Sequence, residues 1–359
     1  MSEWTFITNV ASDGQGVSST NVFENWDISS LVPSGTYSVI VKCHYVGGIS
    51  GDMTARAYGS TDNDYSYTSA NTFHYKLLQV DLNRIIEIKA SNTYARFYVV
   101  AYSANSNMAL NKSTAFSVSS TGVYETKSLS GYASGAAAVH AESAPTIAVN
   151  WRRDSNTDDT DQYKAPSNST FTHQITGIDG SYNAQMKANS TSQYSYIYGY
   201  LTSDEYTVLD DPVELTVGST GSWVDVDLSS YSGIVGAVIN MCETGSAYTE
   251  GGVREKGSTD DFPGSTNHDV RASAKVTAFC GVDSNGYIQA YKESAGLKFY
   301  LMGYFIEDSG GETLLPNNVT AGVPAVGSPA MGQVHDLTAG SIVGGVPDIA
   351  QPVVGQTHD

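Results

Sequence analysis

An all-β chain is predicted: three tandem β-sandwich/jelly-roll-like modules plus an extended Pro/Gly-rich C-terminal repeat tail. Three observations predict it. A set of landmarks recurs three times along the chain. The apolar runs alternate with a period of two or are short and continuous, and no segment carries a 3.6-residue stripe for three turns. After Leu315-Pro316 the composition shifts to a proline- and glycine-rich repeat.

The first landmark is an Arg-x4-Thr-Asp element. TARAYGSTDND (54–64), NWRRDSNTDDT (150–160) and GVREKGSTDDF (252–262) align without gaps. They place Arg56, Arg152 and Arg254 together, and Asp62, Asp158 and Asp260 together. A second block follows in RFYVVAYS (96–103), YSYIYGYL (194–201) and KFYLMGYF (298–305). Between the blocks lie a histidine (His74, His173, His268) and a hydrophobic-Asp pair (Val80-Asp81, Ile178-Asp179, Val282-Asp283). Upstream, Trp26-Asp27-Ile28-Ser29 matches Val226-Asp227-Leu228-Ser229, with an echo at Ser128-Leu129-Ser130. Landmarks in one order, three times over, signify internal duplication. The boundaries read as 1–106, 107–206 and 207–310 for the modules and 311–359 for the tail, with joints near 105–110 and 204–211.

Within a module the strands are legible. TYSVIVKCHYV alternates Tyr37, Val39, Val41, Cys43 and Tyr45 with Ser38, Ile40, Lys42 and His44, the pattern of a half-buried strand. YSYIYGYL would put Tyr194, Tyr196, Tyr198 and Tyr200 on one face. KFYLMGYF is apolar on both faces, as in a central strand. Turn clusters such as Asp283-Ser284-Asn285-Gly286 bound these runs. About seven or eight short strands in ~100 residues suit a two-sheet sandwich or jelly roll.

The tail holds two copies of a 23-residue repeat. Gly322-Val323-Pro324 matches Gly345-Val346-Pro347, Pro329 matches Pro352, and His335-Asp336 matches His358-Asp359. Such proline density forbids an interior helix or a central strand. The tail is expected to lie along a partner, with Pro324, Pro329, His335, Pro347, Pro352 and His358 as its anchoring residues.

Charge and composition narrow the function. Charged residues make up 15% of the chain, against ~25% in a typical soluble domain. The polar surface therefore comes from Ser, Thr, Asn, Gly and tyrosine hydroxyls. A formal net charge of −19 repels phosphate backbones and anionic membranes. No run approaches a membrane span, and MSEWTFITNV has neither the basic start nor the apolar stretch of a secretory signal. Synthesis in the cytoplasm is expected. Cys43, Cys242 and Cys280 read as buried hydrophobes, with a Cys242–Cys280 bridge as the alternative.

The Arg-x4-Thr-Asp element has three readings. The Arg can clamp its own turn through a bidentate bond to the Asp. With the Asp and the nearby His, it can bind a sugar or a partner loop. The acid clusters Asp62/Asp64 and Asp158/Asp159/Asp161 can ligate calcium, although no EF-hand loop is present. The candidate binding set is Arg56, Asp62, His74, Arg152, Asp158, His173, Arg254, Asp260 and His268. Exposed tyrosines beside Asn, Asp and Ser could stack on sugar rings. No nucleophile elbow, HExxH or phosphate loop occurs, and no catalytic residue or cofactor is expected. Triplication suits multivalent contact better than one asymmetric catalytic centre.

The third module carries a resemblance. Arg254, Gly257-Ser258-Thr259-Asp260-Asp261, His268, Val282-Asp283-Ser284-Asn285-Gly286 and Phe299-Tyr300-Leu301-Met302-Gly303-Tyr304 together resemble a repeat module of tailed-bacteriophage virion proteins. The tail resembles Gly-x-Pro-x-Val-Gly-x-Pro-x-x-Gly-Gln-x-His repeats of phage structural proteins. The second module departs from the pattern, with Asn156 for Ser and no Asn-Gly turn. The resemblance implies a non-enzymatic, homo-oligomeric component of the virion exterior, a projecting fibre or a capsid decoration. It would attach to other virion proteins through the tail and could reach host-surface glycans. A carbohydrate-binding module of a bacterial surface is the alternative.

Overall fold

A computed structural model describes residues 4–10, 14–45, 50–63, 66–68, 73–104, 108–109, 111–131, 135–143, 149–154, 172–243, 249–260, 268–270 and 275–307. The tail lies outside the described residues. All regular structure among them is β-strand, in six antiparallel sheets.

In the first module the strands are β1 (Trp4–Phe6), β2 (Glu24–Asp27), β3 (Ser38–Tyr45), β4 (Gly51–Ala57), β5 (Ser66–Thr68), β6 (Phe73–Gln79), β7 (Ile85–Ala90) and β8 (Ala95–Ser103). They form two sheets, β1-β8-β3-β6 and β2-β7-β4-β5. The pairings 4–5, 3–6, 2–7 and 1–8 are nested, so the chain is one long hairpin wound over itself. That is the jelly roll. The third module repeats it strand for strand. Its strands are β15 (Tyr206–Leu215), β16 (Trp223–Asp227), β17 (Ile234–Glu243), β18 (Thr249–Glu255), β19 (His268–Val270), β20 (Lys275–Gly281), β21 (Tyr287–Lys292) and β22 (Leu297–Ile306). Its sheets are β15-β22-β17-β20 and β16-β21-β18-β19.

The second module has β9 (Glu125–Ser128), β10 (Ala136–Ser143), β11 (Val149–Arg153), β12 (Thr172–Gly177), β13 (Asn183–Ala188) and β14 (Ser195–Thr202). They form β12-β10-β14 and β11-β13-β9. Residues 108–109 and 111–116 take the place of the first strand, touching β14 at Met108–Gly199 and Phe116–Ser195.

The repeated sequence landmarks set the turns. Asp81, Asp179 and Asp283 each accept, through Oδ1, the backbone N–H four residues on (Ile85, Asn183, Tyr287), at 2.7 Å every time. The residue just before that N–H is left-handed in all three: Arg84 (φ 61°), Tyr182 (φ 59°) and Gly286 (φ 83°). Only the third module meets this demand with glycine. Ile28, Leu129 and Leu228 sit fully buried after the second strand of their modules.

Two expectations are corrected. The strand β3 is buried at all eight positions, not on one face. Its outer side lies against the rest of the protein, so even Lys42 and His44 are buried. The tyrosines of YSYIYGYL do not share a face either. A bulge opens where Ala141 pairs with Ile197 and His140 with Gly199. Tyr198 is therefore buried, while Tyr194 stays exposed. The same bulge interrupts β8 and β22, an irregularity that period-two reading cannot foresee.

The three modules are not strung out as beads, as an extended projecting element would require. Residues 1–309 form one compact unit. Two sandwiches keep inner cores of their own, around Trp26, Cys43 and Phe97 in the first and Leu129, Trp151 and Met186 in the second. The third core runs on into a shared one that takes in Trp4, Ile40 and Tyr75 of the first module and Ala138, Ile175 and Leu201 of the second. Equivalent strands meet there: β6, β12 and β20 touch one another pairwise. Leu77, Ile175 and Phe279, each three residues before its hydrophobic-Asp pair's Asp minus one, or two positions before Gln79, Gly177 and Gly281, lie in this common cluster.

Candidate functional site at the module joints

The Arg-x4-Thr-Asp element stands at the joints. In module 1, Arg56 donates through Nη1 to the backbone carbonyl of Asp62 (2.5 Å) and pairs with Glu87 on the neighbouring strand (Nε–Oε2 3.0 Å). Its guanidinium lies over the Phe23 ring, 3.5 Å from the centroid. Arg254 repeats this with the Asp260 carbonyl (2.8 Å), Gln289 (2.9 Å) and the Trp223 ring (4.1 Å). Arg152 does so with Gln185 (2.7 Å) and the Tyr124 ring (3.7 Å). In modules 1 and 3 the Arg does clamp its turn. In module 1, however, it holds the main-chain oxygen of the Asp and not its carboxylate, which corrects the expected bidentate bond. The carboxylate is left available for another partner.

That partner is the next module. Asn111 Oδ1 accepts from Ser60 Oγ (2.8 Å), Thr61 N (2.8 Å) and Thr61 Oγ1 (3.3 Å), while Lys112 N donates to Asp62 Oδ2 (2.7 Å). Asn9 Oδ1 accepts from Ser258 Oγ (3.3 Å), Thr259 N (2.8 Å) and Thr259 Oγ1 (3.2 Å), while Val10 N donates to Asp260 Oδ2 (2.8 Å). One lock thus joins module 2 to module 1, and the same lock joins module 1 to module 3. Ser60 and Ser258 each serve twice, since their Oγ atoms also accept from the N–H of Asp62 and Asp260.

The remaining joint, module 3 on module 2, differs. Its position equivalent to Asn9 and Asn111, counted from the strand pairing, is Asp211, and the residue before it, Asp210, forms an ion pair with Arg153 (2.6 Å). Val208 fills the space over Gly177 there, as Phe6 fills that over Gly281 in the joint of modules 1 and 3. Asp158, the second module's copy of the motif Asp, lies outside the described residues. Each module therefore lays its first strand on the one before it, and module 1 lays its own on module 3. The three head-to-tail contacts close into a ring.

A second set of equivalent positions faces these joints. Lys42, Glu142 and Asn240, opposite Tyr98, Tyr196 and Tyr300, are all buried. Glu142 pairs with Lys76 of module 1 at 3.1 Å. Lys42 lies over the Phe73 ring, 4.9 Å from its centroid, and burial drives its pKa well below the ordinary value although Asp260 of module 3 opposes this. Aromatic rings complete the joint of modules 1 and 3: Trp4 and Phe6 against Phe305, and Tyr75 against Phe279.

The histidines are not equivalent after all. His74 faces Cys43 in register, His173 faces Glu142, and His268 faces Gly251 in the opposite sheet. Burial pushes the Cys242 thiol up to about 12 and raises those of Cys43 and Cys280, and all three are free. This corrects the alternative of a Cys242–Cys280 bridge; Cys280 pairs with Ala237 instead, five residues along β17. No cluster of three metal-ligating side chains forms among the described residues. The anchoring residues Pro324, Pro329, His335, Pro347, Pro352 and His358 lie outside them.

Sequence reading missed Asn9 and Asn111, which sit in otherwise dissimilar stretches. It also missed a landmark that was present: Val17-Ser18-Ser19-Thr20, Val118-Ser119-Ser120-Thr121 and Val217-Gly218-Ser219-Thr220, each followed by the aromatic residue under its Arg.

Removal of one lock should be measurable. Asn9→Ala deprives Ser258 and Thr259 of their acceptor and is expected to lower stability by about 1–3 kcal/mol. Amide exchange at Val10 and Thr259 should quicken while β7 is unaffected. Unchanged exchange at Val10 would refute the lock.

No family model matches the chain, and no curated protein matches it. A solved structure from the Sulfolobus turreted icosahedral virus aligns over 86% of this chain and 91% of its own, at 11% identity and a TM-score of 0.20. A likeness at that score carries no argument about fold or function.

Proposed function

We propose that the chain is a non-enzymatic structural component of the outside of a virion, and a capsid decoration in preference to a fibre. The observation that carries this reading is the ring of three jelly rolls closed inside one chain. Jelly rolls serve capsids and lectins alike, so the fold alone decides little. Closure of the ring supports the reading. It converts tandem modules into a compact block whose most specific polar residues hold the modules together. Among the described residues, two cavities at the joints, of about 40 and 10 Å³, have room for water and not for a sugar or a substrate. A compact block suits a coat surface, whereas a fibre needs length. The formal charge of −19 favours an outward position, away from packaged nucleic acid. The resemblance of the third module and tail to phage virion repeats agrees with it, and the proline-rich tail offers an attachment to the particle body.

Immunogold labelling of intact particles from the producing culture tests the reading. Label should decorate the outer surface of heads. Particles without label, or turnover of host polysaccharide by the purified chain, would end it.

A further inference from the structure

Three loop tips repeat more strictly than the fold requires. They are Ser19-Thr20-Asn21-Val22, Ser120-Thr121-Gly122-Val123 and Ser219-Thr220-Gly221-Ser222. Each is built as a rigid point. A left-handed residue turns the chain (Asn21 φ 62°, Gly122 φ 72°, Gly221 φ 74°). The N–H of that residue donates to the end of a neighbouring strand: Ala90 O (2.7 Å), Ala188 O (2.9 Å) and Lys292 O (2.8 Å). In two modules a glutamate grips the loop from below. Glu24 accepts from Ser18 N and Oγ, and Glu125 from Ser119 N and Oγ.

What the tips present is not explained by that scaffold. Thr20, Thr121 and Thr220 are exposed, and none of them makes a hydrogen bond in the described structure. Val22 and Val123 are each 56% exposed. A residue identical in three copies, exposed and without a bond, has no part in holding its own module. No tip carries a charge, although the chain as a whole is strongly acidic. The closed ring carries the three tips at equivalent places in its modules, each module laying its first strand on the one before it.

We propose that the three Ser-Thr tips form a tripod that docks one chain onto three equivalent coat subunits grouped about a threefold axis. The inference rests on the virion role proposed above and names the partner. Three like points around an axis match a partner that repeats with the same symmetry, and three weak contacts of methyl and hydroxyl groups then act together. The partner surface at each point is uncharged, with hydrogen-bonding groups beside an apolar patch.

The test uses the full chain and particles depleted of it, with binding read by co-sedimentation. Wild type should saturate at one chain per three coat subunits clustered at an axis. Val22→Asp/Val123→Asp should keep the wild-type melting temperature, because both side chains are exposed, and lose about 100-fold in affinity. Each single variant should fall between. The triple variant Thr20→Ala/Thr121→Ala/Thr220→Ala, which adds no charge, should also weaken binding. Saturation at three chains per axis, or full affinity in both the double and the triple variant, would overturn the tripod while leaving the virion role intact. A chain absent from particles and unable to sediment with them would overturn both.

Discussion

Glu142→Ala should be among the most damaging single substitutions in the protein, costing about 3–5 kcal/mol. Glu142 and Lys76 are both almost completely buried where module 2 meets module 1, 3.1 Å apart. Removing the carboxylate leaves an ammonium in the interior with only the face of Tyr198, 4.9 Å away, to stabilise it. The pair itself need not be a large net gain, since two charges were desolvated to form it. This sets up a discriminating comparison. Lys76→Met/Glu142→Leu replaces both charges by apolar groups of similar size and should recover most of the loss, or all of it. Urea denaturation of the wild type, both single variants and the double variant gives the coupling directly. A double variant as unstable as Glu142→Ala would show that Glu142 acts through something other than this pair. The equivalent positions hold Lys42 in module 1 and Asn240 in module 3, so each joint has its own polar signature and modules cannot be exchanged between joints without burying an unmatched group.

How much of this was legible beforehand follows from where each signal resides. The threefold repeat and the β class were readable because turns are local. Asp81, Asp179 and Asp283 do their work within four residues, and the sequence shows the whole device. The jelly-roll pairing was foreseeable only as a class, because the pairing of β1 with β8 is a contact between ends of a module. The Arg-x4-Thr-Asp element was recognised, but its meaning was divided. The Arg half is local and was read as a clamp. The Asp half is satisfied by residues 50 and 250 positions away, and nothing near the motif announces them. Burial of Lys42, His44 and Glu142 was hidden for the same reason. A lysine or glutamate alternating with apolar residues reads as the solvent side of a strand, and only the ring turns that side inward.

The buried imidazoles make acid sensitivity the second large expectation. His140 is enclosed at the joint of modules 1 and 2, and burial lowers its pKa to about 4; the ammonium of Lys76 lowers it too, while Glu142 opposes. His44 is lowered to about 3, by burial first and by Lys42 second. Both sit below the ordinary value of 6.5. Above that pH the imidazoles are neutral in the folded and the unfolded chain, and their contribution is fully present. Below it the unfolded chain takes up protons that the native protein refuses, so stability falls with pH and continues to fall until the native pKa values are reached. For His140 alone the total is roughly 3 kcal/mol. Between pH 6.5 and about 5 this loss belongs to histidine. Carboxylates held by hydrogen bonds, such as Asp27, Asp179 and Glu125, have pKa values lowered in the fold and add to the loss only at lower pH. Stability measured by urea at pH 7.5, 6.0 and 5.2 should therefore decline steadily in the wild type. His140→Gln should be less stable at pH 7.5 yet show a shallower decline, because one proton-binding difference between the two states has been removed. Parallel pH curves for the two proteins would mean that His140 becomes charged without leaving the joint, and that the joint admits water.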